Sequence, residues 1–386
     1  MTVIQLLAIA FVVSLVLVAS IHARVVRFAV KHHIVDHPDY RKLQKTPVPV
    51  MGGVAVFLGM LAGLFAVACC TDLTQLWMVV AALFIMLSMG LWDDSADLSP
   101  YLRFAIEIAV VLGLILGGGF CIDDFHGLFG LRQIPAAGAI PLTIFAAVGI
   151  INAINLIDGV NGLSSGFGIM ACCLFGAFFY VAGNVPMLLL AAVSAGALIP
   201  FFFHNVFGKT SRMFIGDSGS LVMGLVMAIF VCSVLRHDAG YAIAPRFGLI
   251  PFTLAVLSVP VFDTLRVMVS RKLRGESPFH PDKTHLHHIF IRLGCSHPMT
   301  TLAILSLDAG IVGCWWVAMR LGAPLGVQLL LVVVLALLAT VGVYHFLAYH
   351  LYRDTQLIHW LRHVGHYTHL SRTRLFLVIQ HYIDKM

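Results

Sequence analysis

Stretches of about 20 mostly apolar residues, each long enough to form one membrane-spanning helix, recur along nearly the whole chain of 386 residues. Hydrophobic residues make up 60% of the sequence and charged residues 11%, whereas a soluble domain carries about 25% charged residues. This charge is too sparse to cover a soluble globule, so lipid is the expected surroundings of the outer surface. The sequence therefore predicts an all-α, polytopic membrane protein with about 11 transmembrane helices.

Loop charge predicts the orientation of these spans, because short cytoplasmic loops carry an excess of Lys and Arg. Of the 24 Lys and Arg residues, only Arg132, Arg236, Arg246 and Arg320 fall in the loops on one side, and the other 20 (24 − 4) fall on the opposite side. This asymmetry predicts an external N-terminus and a cytoplasmic C-terminus. The predicted spans are 1–21, 48–70, 74–92, 102–120, 136–157, 162–182, 186–206, 219–235, 246–265, 300–319 and 324–350.

Two regions follow from this pattern. Residues 1–350 are predicted to form a transmembrane domain that carries the candidate site, and residues 351–386 an amphipathic cytoplasmic tail. The tail places Leu357, Trp360 and Phe376 among Arg and His residues, which favours helices lying on the membrane surface over a catalytic role. The cytoplasmic loops expected to form the site are 22–47, 93–101, 158–161, 207–218 and 266–299.

An acidic cluster follows the third predicted span, at Asp93, Asp94 and Asp97. Residues four apart share a helix face, so Asp93 and Asp97 would point the same way if the helix continues. Acidic side chains near lipid are costly in free energy. Hard oxygen ligands of this kind suit Mg²⁺, which commonly bridges a few carboxylates to substrate phosphates. The alternative is a solvated helix end without a ligand.

A polar stripe closes the fifth predicted span, where Asn152, Asn155 and Asp158 recur every three residues. Gly159 and Gly162 follow, and glycines permit a tight turn and the close approach of a ligand to the backbone. Amides within an apolar span need hydrogen-bond partners, so contacts between helices are the alternative explanation. The Asp and the Gly turn at the end of the stripe favour a functional site.

A Gly/Ser-rich turn, Gly216-Asp217-Ser218-Gly219, leads directly into the eighth predicted span. Such a turn before a helix can present backbone N–H groups to a phosphate. Asp217 could instead serve only as the N-cap of that helix.

A histidine-rich loop follows the ninth predicted span, with His280, His285, His287 and His288 after the basic residue Arg271. Four His within nine residues could bind a transition metal. They could also hold a diphosphate and assist proton transfer. The remaining interpretation is a solvated loop without a ligand.

The first cytoplasmic loop carries Arg41 and Lys42 shortly before a Pro- and Gly-containing span entry. These two cations could hold a phosphate, or they could serve only as part of the positive-inside signal.

Carboxylates, cations and His thus converge on one membrane face from five loops. This is the composition that phosphoryl transfer needs, because cationic groups must offset the charge of the transferred phosphoryl oxygens. The membrane suggests that one substrate is a lipid.

At these residues the sequence resembles the polyprenyl-phosphate N-acetylhexosamine-1-phosphate transferase family, also called glycosyltransferase family 4. The resemblance covers nearly the whole chain and rests on four motifs in family order. These are the Asp93-Asp94 pair with Asp97, the Asn152/Asn155/Asp158-Gly159 run, Gly216-Asp217-Ser218-Gly219, and the Asp282-to-His288 loop. The last loop is most similar to the branch that uses UDP-N-acetylglucosamine (UDP-GlcNAc) and undecaprenyl phosphate.

The resemblance implies transfer of N-acetylglucosamine-1-phosphate from UDP-GlcNAc to undecaprenyl phosphate, giving undecaprenyl-diphospho-GlcNAc and UMP. This would initiate a cell-surface polysaccharide such as O-antigen, enterobacterial common antigen or a teichoic-acid linkage unit, at the bacterial inner membrane. The implied partners are the lipid, the UDP-sugar and the bilayer, with a homodimer left open and no nucleic acid.

The resemblance also implies roles for the candidate residues. Asp93, Asp94, Asp158 and Asp217 are expected to be catalytic, and Mg²⁺, with Mn²⁺ as a substitute, is expected at Asp93, Asp94 and Asp217. Asp94 or Asp93 would deprotonate or position the lipid phosphate, and Asn155 and Asp158 would face the nucleotide-sugar. The predicted substrate contacts are Asn152, Asn155, Arg41, Lys42, Arg271, His280, His285, His287 and His288.

Two positions depart from the family pattern, because Asn161 stands where a second Asp is usual and Gln44 where a His is expected. An amide at position 161 removes one negative charge, which bears on metal affinity and on the choice of sugar. The alternatives are therefore the same reaction with another UDP-N-acetylhexosamine and, more remotely, a membrane transporter. A transporter would be expected to carry charged residues at mid-span and repeated, interrupted helices.

Overall fold

A computed structural model describes residues 1–36, 46–96, 98–239, 241, 246–277, 282–367 and 370–385. Helices dominate these residues, and the strands β1 (Val35–Asp36) and β2 (Val48–Pro49) form one short antiparallel pair. The first eight helices are α1 (Val3–Lys31), α2 (Gly52–Val67), α3 (Thr74–Ala96), α4 (Pro100–Gly118), α5 (Ala136–Leu156), α6 (Leu163–Ala182), α7 (Val185–Phe207) and α8 (Gly216–Leu235). The other eight are α9 (Leu249–Val256), α10 (Ser258–Leu273), α11 (Leu286–Arg292), α12 (His297–Arg320), α13 (Leu325–Leu337), α14 (Val343–Arg353), α15 (Gln356–Tyr367) and α16 (Arg374–Ile383).

The prediction of an all-α polytopic membrane protein is confirmed, but the count of 11 spans is not. Within the described ranges, nine helices are long and apolar enough to cross a membrane, counting α13 and α14 as one continuous span. The pair α9–α10, bent by 73°, would make a tenth. The remaining predicted span coincides with α2, which has 16 residues. A helix of that length rises only about 24 Å, less than the roughly 30 Å of a bilayer core.

Helix α8 lies at the centre of the bundle, and all of its residues from Ser218 to Leu235 are buried. Small residues let neighbouring helices approach it closely. A Cβ on Gly90 of α3 would lie 2.3 Å from the Cα of Ser218, and a Cβ on Gly224 would lie 2.8 Å from the Cα of Ile151 in α5. Close approach through small residues is the usual packing of membrane helices. It brings the ends of α3, α5 and α8 together.

The turn between α3 and α4 shows how local sequence positions the next helix. Ser99 is the N-cap of α4, its Oγ accepts a hydrogen bond from the N–H of Leu102 at 3.3 Å, and Pro100 occupies the first helical position. Both residue types are favoured there, because the cap satisfies an unpaired N–H and proline has none to satisfy. Arg103 consequently lies in the first turn of α4, facing the end of α3.

The break between α9 and α10 is stabilised from a neighbouring span. The Oδ1 of Asp308 in α12 accepts hydrogen bonds from the Oγ of Ser258 at 2.7 Å and from the N–H of Val259 at 2.9 Å. The first N–H groups of a helix have no partner within the helix. The buried carboxylate of Asp308 therefore accepts one of these N–H groups at the start of α10. The bend directs α10 toward the histidine-rich loop.

Candidate active site

A cavity of about 1380 Å³ lies where the ends of α3, α5, α7 and α8 meet the loops on one side of the bundle. The residues that follow α1 and residues within α11 and α16 also line it. Loops that the charge pattern assigned to one membrane face therefore meet around a common space. Of the predicted site residues, Asp93, Asp94, Asn155, Asp158, Asp217 and His288 line this cavity.

Asp94 organises the start of α8. Its Oδ1 accepts the backbone N–H of Asp217 at 2.8 Å, and its Oδ2 accepts that of Ser218 at 3.1 Å. Gly216 has a φ of 72°, and a Cβ there would lie 2.6 Å from Asp94 Oδ2. Glycine is thus needed both for the left-handed backbone and for space. The N–H groups that the sequence suggested for a phosphate donate to Asp94 instead, and the Asp217 side chain is not the cap of α8.

Asn155 connects α5 to α8. Its Nδ2 donates to Asp217 Oδ1 at 2.5 Å and to Ser220 Oγ at 2.8 Å. Its Oδ1 accepts a hydrogen bond from the guanidinium of Arg103 at 2.8 Å. Since both ends of the amide are engaged, the orientation of Asn155 is fixed, and so is one oxygen of Asp217.

Arg103 is the centre of a polar network that the sequence did not reveal. Its guanidinium also donates to Asp93 Oδ2 at 2.9 Å, and its Nε lies 3.5 Å from Oε1 of the fully buried Glu107. Glu107 in turn accepts a hydrogen bond from Asn152 Nδ2 at 2.6 Å. Asn152 is therefore bound within the bundle and is not among the residues lining the cavity. Its role as a substrate contact stays a prediction.

Negative charge accumulates around Asp217, whose carboxylate interacts electrostatically with those of Asp93, Asp94 and Asp158. Burial raises the pKa of Asp158 to about 6, against the opposing effect of a hydrogen bond from Ser164 Oγ at 2.5 Å. Like charges this close favour the binding of a cation.

The carboxylates of Asp94 and Asp217 are the type of oxygen donor that Mg²⁺ prefers, and the Asp94 oxygens also accept backbone hydrogen bonds from the start of α8. This ion is usually held by one or two carboxylates, keeps several waters and completes its shell with substrate phosphates. Among the described residues, no group of three or more His, Cys, Asp or Glu side chains is arranged to hold a metal ion. Asp93, expected as a third ligand, is bound by Arg103 and by the N–H of Leu98 at 2.8 Å. Asp217 keeps one carboxylate oxygen, Oδ2, for which the described residues supply no hydrogen bond.

The histidine-rich loop is anchored by a buried acidic residue, Asp263. Its Oδ1 pairs with Arg266 at 2.7 Å, and its Oδ2 lies 2.9 Å from Nδ1 of His285 and 3.1 Å from the backbone nitrogen of Leu286. The guanidinium of Arg266 lies 3.8 Å from the ring centroid of Tyr344. His285 is buried and does not line the cavity. The structure thus places it in the support of the loop.

Two further predicted residues also hold the loop. Arg271 pairs with Asp282 at 2.9 Å. Burial alone would raise the pKa of Asp282, but the hydrogen bonds from Arg271 and Thr284 outweigh it and hold that pKa well below its usual range. His287 packs against the turn after α5, since a Cβ on Gly159 would lie 2.3 Å from His287 Nε2.

Of His285, His287 and His288, the three candidate histidines of this loop that the structure describes, His288 is the one that lines the cavity. Burial lowers its pKa to about 4, so the imidazole is neutral at pH 7. It can donate and accept hydrogen bonds there but brings no positive charge.

Several predictions lie outside the described residues, namely those on Arg41, Lys42, Gln44, Asp97 and His280. Asn161 is described, and it lines the cavity. Its N–H donates to His297 Nδ1 at 3.2 Å, and its carbonyl accepts from Thr301 Oγ1 at 2.9 Å. The position that departs from the family pattern is therefore part of the candidate site.

Sequence reasoning missed Arg103, Glu107, Asn205 and Arg212. Asn205 ties two loops together, since its Oδ1 accepts from the N–H of Gly162 at 2.6 Å and its Nδ2 donates to the carbonyl of Met213 at 2.8 Å. Arg212 is the one Lys or Arg side chain among the described residues that line the cavity. Glu107 carried a usable signal, because an acidic residue inside an apolar span needs a partner, and Arg103 lies four residues before it.

Known proteins resemble this chain over most of its length. Residues 76–235 match the model of "Glycosyl transferase family 4". A probable undecaprenyl-phosphate N-acetylglucosaminyl 1-phosphate transferase of Bacillus subtilis is 33% identical over 77% of this chain and 81% of its own length. A decaprenyl-phosphate N-acetylglucosaminephosphotransferase of Mycobacterium tuberculosis is 34% identical over 72% of this chain and 74% of its own length.

A third relative extends the similarity to another bacterial group. The undecaprenyl-phosphate alpha-N-acetylglucosaminyl 1-phosphate transferase of Yersinia pestis is 26% identical over 74% of this chain and 79% of its own length. The family model spans α3 to α8, the segment that contains the acidic cluster, the Asn155/Asp158 stripe and Asp217. The chain belongs to glycosyl transferase family 4, the polyprenyl-phosphate N-acetylhexosamine-1-phosphate transferases.

Proposed function

We propose that this protein transfers N-acetylglucosamine-1-phosphate from UDP-GlcNAc to undecaprenyl phosphate, producing undecaprenyl-diphospho-GlcNAc and UMP. The observation that carries this proposal is the shared cavity, in which Asp93, Asp94, Asn155, Asp158 and Asp217 meet at the ends of three packed spans. Relatives that cover most of the chain are named for this transfer to undecaprenyl or decaprenyl phosphate.

The chemistry is a single displacement at phosphorus. An oxygen of the lipid phosphate attacks the sugar-bearing phosphorus of the UDP-sugar, and a new P–O bond forms. The bond from that phosphorus to the bridging oxygen breaks, and UMP leaves with the bonding pair. A lipid phosphate that arrives protonated gives its proton to a carboxylate of the Asp93–Asp94 pair.

Protein groups in this reaction mainly position charge, which is the principal requirement of phosphoryl transfer. Mg²⁺, which Asp94 and Asp217 would hold, would offset negative charge on the diphosphate oxygens. Asp94 fixes the turn that carries Asp217, and Asn155 orients the Asp217 carboxylate. Asp158 and the neutral His288 face the same cavity, where the Asp158 carboxylate can accept hydrogen bonds from sugar hydroxyls and His288 can donate one to the diphosphate.

The proposal places the cavity on the cytoplasmic side of a bacterial plasma membrane. The Lys and Arg asymmetry of the loops supports this orientation, and UDP-sugars are made in the cytoplasm. The product would then begin a cell-surface polysaccharide, with the glycan set by enzymes acting later.

The test is release of UMP by the purified full-length protein in detergent, supplied with undecaprenyl phosphate, UDP-GlcNAc and Mg²⁺. Parallel reactions omit the lipid, replace Mg²⁺ by EDTA, or use the variants Asp94→Asn and Asp217→Asn. We expect lipid-dependent release that EDTA abolishes and that each variant lowers at least about 100-fold, the scale on which single electrostatic contacts act in catalysis.

Two other outcomes would revise the proposal. Release with a different UDP-N-acetylhexosamine, but not with UDP-GlcNAc, would keep the reaction and change the sugar. Folded protein that releases no UMP from any such donor would refute the proposed reaction.

A further inference from the structure

The carboxylate of Asp384, just after α16, is bound by a loop of the transmembrane domain. It accepts the backbone N–H groups of Lys209 and Thr210, each at 3.0 Å, and that of Ser211 at 3.1 Å. The Ser211 hydroxyl donates to it as well, at 3.0 Å. A charged acceptor with several backbone donors forms stronger hydrogen bonds than a neutral one. The end of the chain is therefore fixed to the loop that follows α7.

Further contacts run along α16 itself. Gln380 Nε2 donates to the carbonyl of Phe207, the last residue of α7, at 2.9 Å. The ring of Phe376 lies 4.8 Å from that of Phe207, between centroids. The other face of the helix exposes Leu375 and Tyr382, 69% and 66% accessible, as expected for a helix at the membrane surface. One face of α16 thus meets the protein, and the other faces outward.

The bound loop is also held from the interior of the bundle. The carbonyl of Ser211 lies 2.8 Å from His22 Nε2, and its hydroxyl lies 3.0 Å from His204 Nδ1. The two imidazole rings stack with their centroids 3.7 Å apart. Asp384 closes this arrangement from outside, so the loop is clamped between α1, α7 and the tail. The next residue is Arg212.

Arg212 and α16 reach the same cavity as the catalytic carboxylates. Phe376 and Gln380 line it from α16, and Arg212 and His297 line it from neighbouring elements. The guanidinium of Arg212 donates to the carbonyl of Gly208 at 3.1 Å and interacts electrostatically with Asp384. The tail therefore helps to shape the site, although the amphipathic pattern of the tail predicted only a role on the membrane surface.

We propose that α16 is a wall of the nucleotide-sugar site, and that Asp384 positions it there together with the loop leading to Arg212. The inference rests on the function proposed above. The groups at this end of the cavity are a guanidinium, an imidazole, an amide and an aromatic ring. Such groups suit a phosphate and a planar base, whereas a polyprenyl chain requires a continuous apolar surface.

The experiment compares steady-state kinetics of the full-length protein with those of Asp384→Ala, and varies UDP-GlcNAc and undecaprenyl phosphate separately. Asp354→Ala is the matched control, because Asp354 is a tail carboxylate that is 64% exposed and makes only long contacts, with His359 at 3.4 Å and Arg362 at 3.5 Å. We expect the KM for UDP-GlcNAc to rise about tenfold in Asp384→Ala. The kcat and the KM for the lipid should stay within about twofold, and Asp354→Ala should match the unaltered protein.

Two additional variants separate positioning from a general loss of structure. Asp384→Asn keeps an oxygen acceptor for the loop and should give an intermediate KM. In an Arg212→Gln background, Asp384→Ala should add little, because both changes act on the same contact with the nucleotide-sugar. An unchanged KM for UDP-GlcNAc, a rise in the KM for the lipid alone, or a fall in kcat alone would overturn the inference.

Tryptic cleavage at Arg374 gives a readout that does not depend on turnover. UDP-GlcNAc should slow this cleavage in the unaltered protein, and the protection should be lost in Asp384→Ala. Failure of the unaltered protein to release UMP would count against the proposed function. Normal release, together with the absence of nucleotide protection and of a KM change, would count against the tail inference alone.

Discussion

Replacing Arg103 by Gln should destabilise the protein and disable the site together. Arg103 donates charged hydrogen bonds to Asp93 at 2.9 Å and Asn155 at 2.8 Å, and its Nε lies 3.5 Å from Glu107. The side chains of Arg103, Asp93 and Glu107 are 19%, 8% and 0% exposed, so solvent screens these contacts little. Removing one partner of a buried pair costs about 3–5 kcal/mol, because the other charge is left uncompensated.

The measurement is thermal unfolding of detergent-solubilised protein, combined with the UMP-release assay. Arg103→Gln should lower the Tm by several degrees and the kcat at least about tenfold, since Asn155 and Asp93 lose the group that orients them. Arg24→Gln is the control, because Arg24 is an exposed residue of α1.

A second substitution tests the cause of the destabilisation. Adding Glu107→Gln removes the uncompensated charge while keeping an oxygen that can accept from Asn152. The double variant should therefore recover about 1–3 kcal/mol relative to Arg103→Gln alone. It should not recover activity, because Asn155 remains unsupported. A double variant no more stable than Arg103→Gln would refute the electrostatic reasoning.

Two further results are expected. Burial raises the pKa of Asp158 to about 6. The Asp158 carboxyl of the folded protein therefore stays protonated up to about pH 6, whereas an ordinary aspartate ionises near pH 4. If the ionised carboxylate is the active form, kcat/KM for UDP-GlcNAc should rise with pH through about 6 and then level off. Asp158→Asn should remove that limb from the residual rate, and a profile of the unaltered protein that is flat from pH 5 to 7 would contradict the assignment. Gly159→Ala should lower activity at least about tenfold, because the new Cβ would lie 2.3 Å from His287 Nε2. Combining Gly159→Ala with His287→Ala should relieve the clash and give a higher Tm than Gly159→Ala alone. Full activity of Gly159→Ala alone would contradict this reasoning, because it would show that the loop moves freely.

The fold class could be predicted from the sequence because apolar length and scarce charge leave few alternatives. The number of spans was harder to predict, since α2 reads as a span by hydropathy but is too short as a helix. The bend between α9 and α10 depends on Asp308, a residue about 50 positions later. A contact between residues so far apart in the sequence leaves no pattern in the residues around the bend.

The acidic residues of the candidate site were predictable because carboxylates near lipid are costly and few. Their individual roles were not. Asp93 and Asp94 are adjacent in sequence, yet their partners differ. Asp93 pairs with Arg103, whereas Asp94 accepts a backbone hydrogen bond from the start of α8. Asp384 lies far in sequence from most residues that line the cavity, and its hydrogen bonds to the folded loop 209–211 bring it near them.

The charge balance of the cavity constrains how it can function. Among the described residues that line it there are five aspartates and one arginine. Reaction of a lipid phosphate with a nucleoside diphosphate brings several further negative charges into the same space, and the neutral His288 does not offset them. Repulsion between charges grows as solvent is excluded, so we expect the substrates to enter this site together with added cations. A divalent-ion requirement is therefore the prediction about the proposed reaction that follows most directly from the arrangement of the carboxylates.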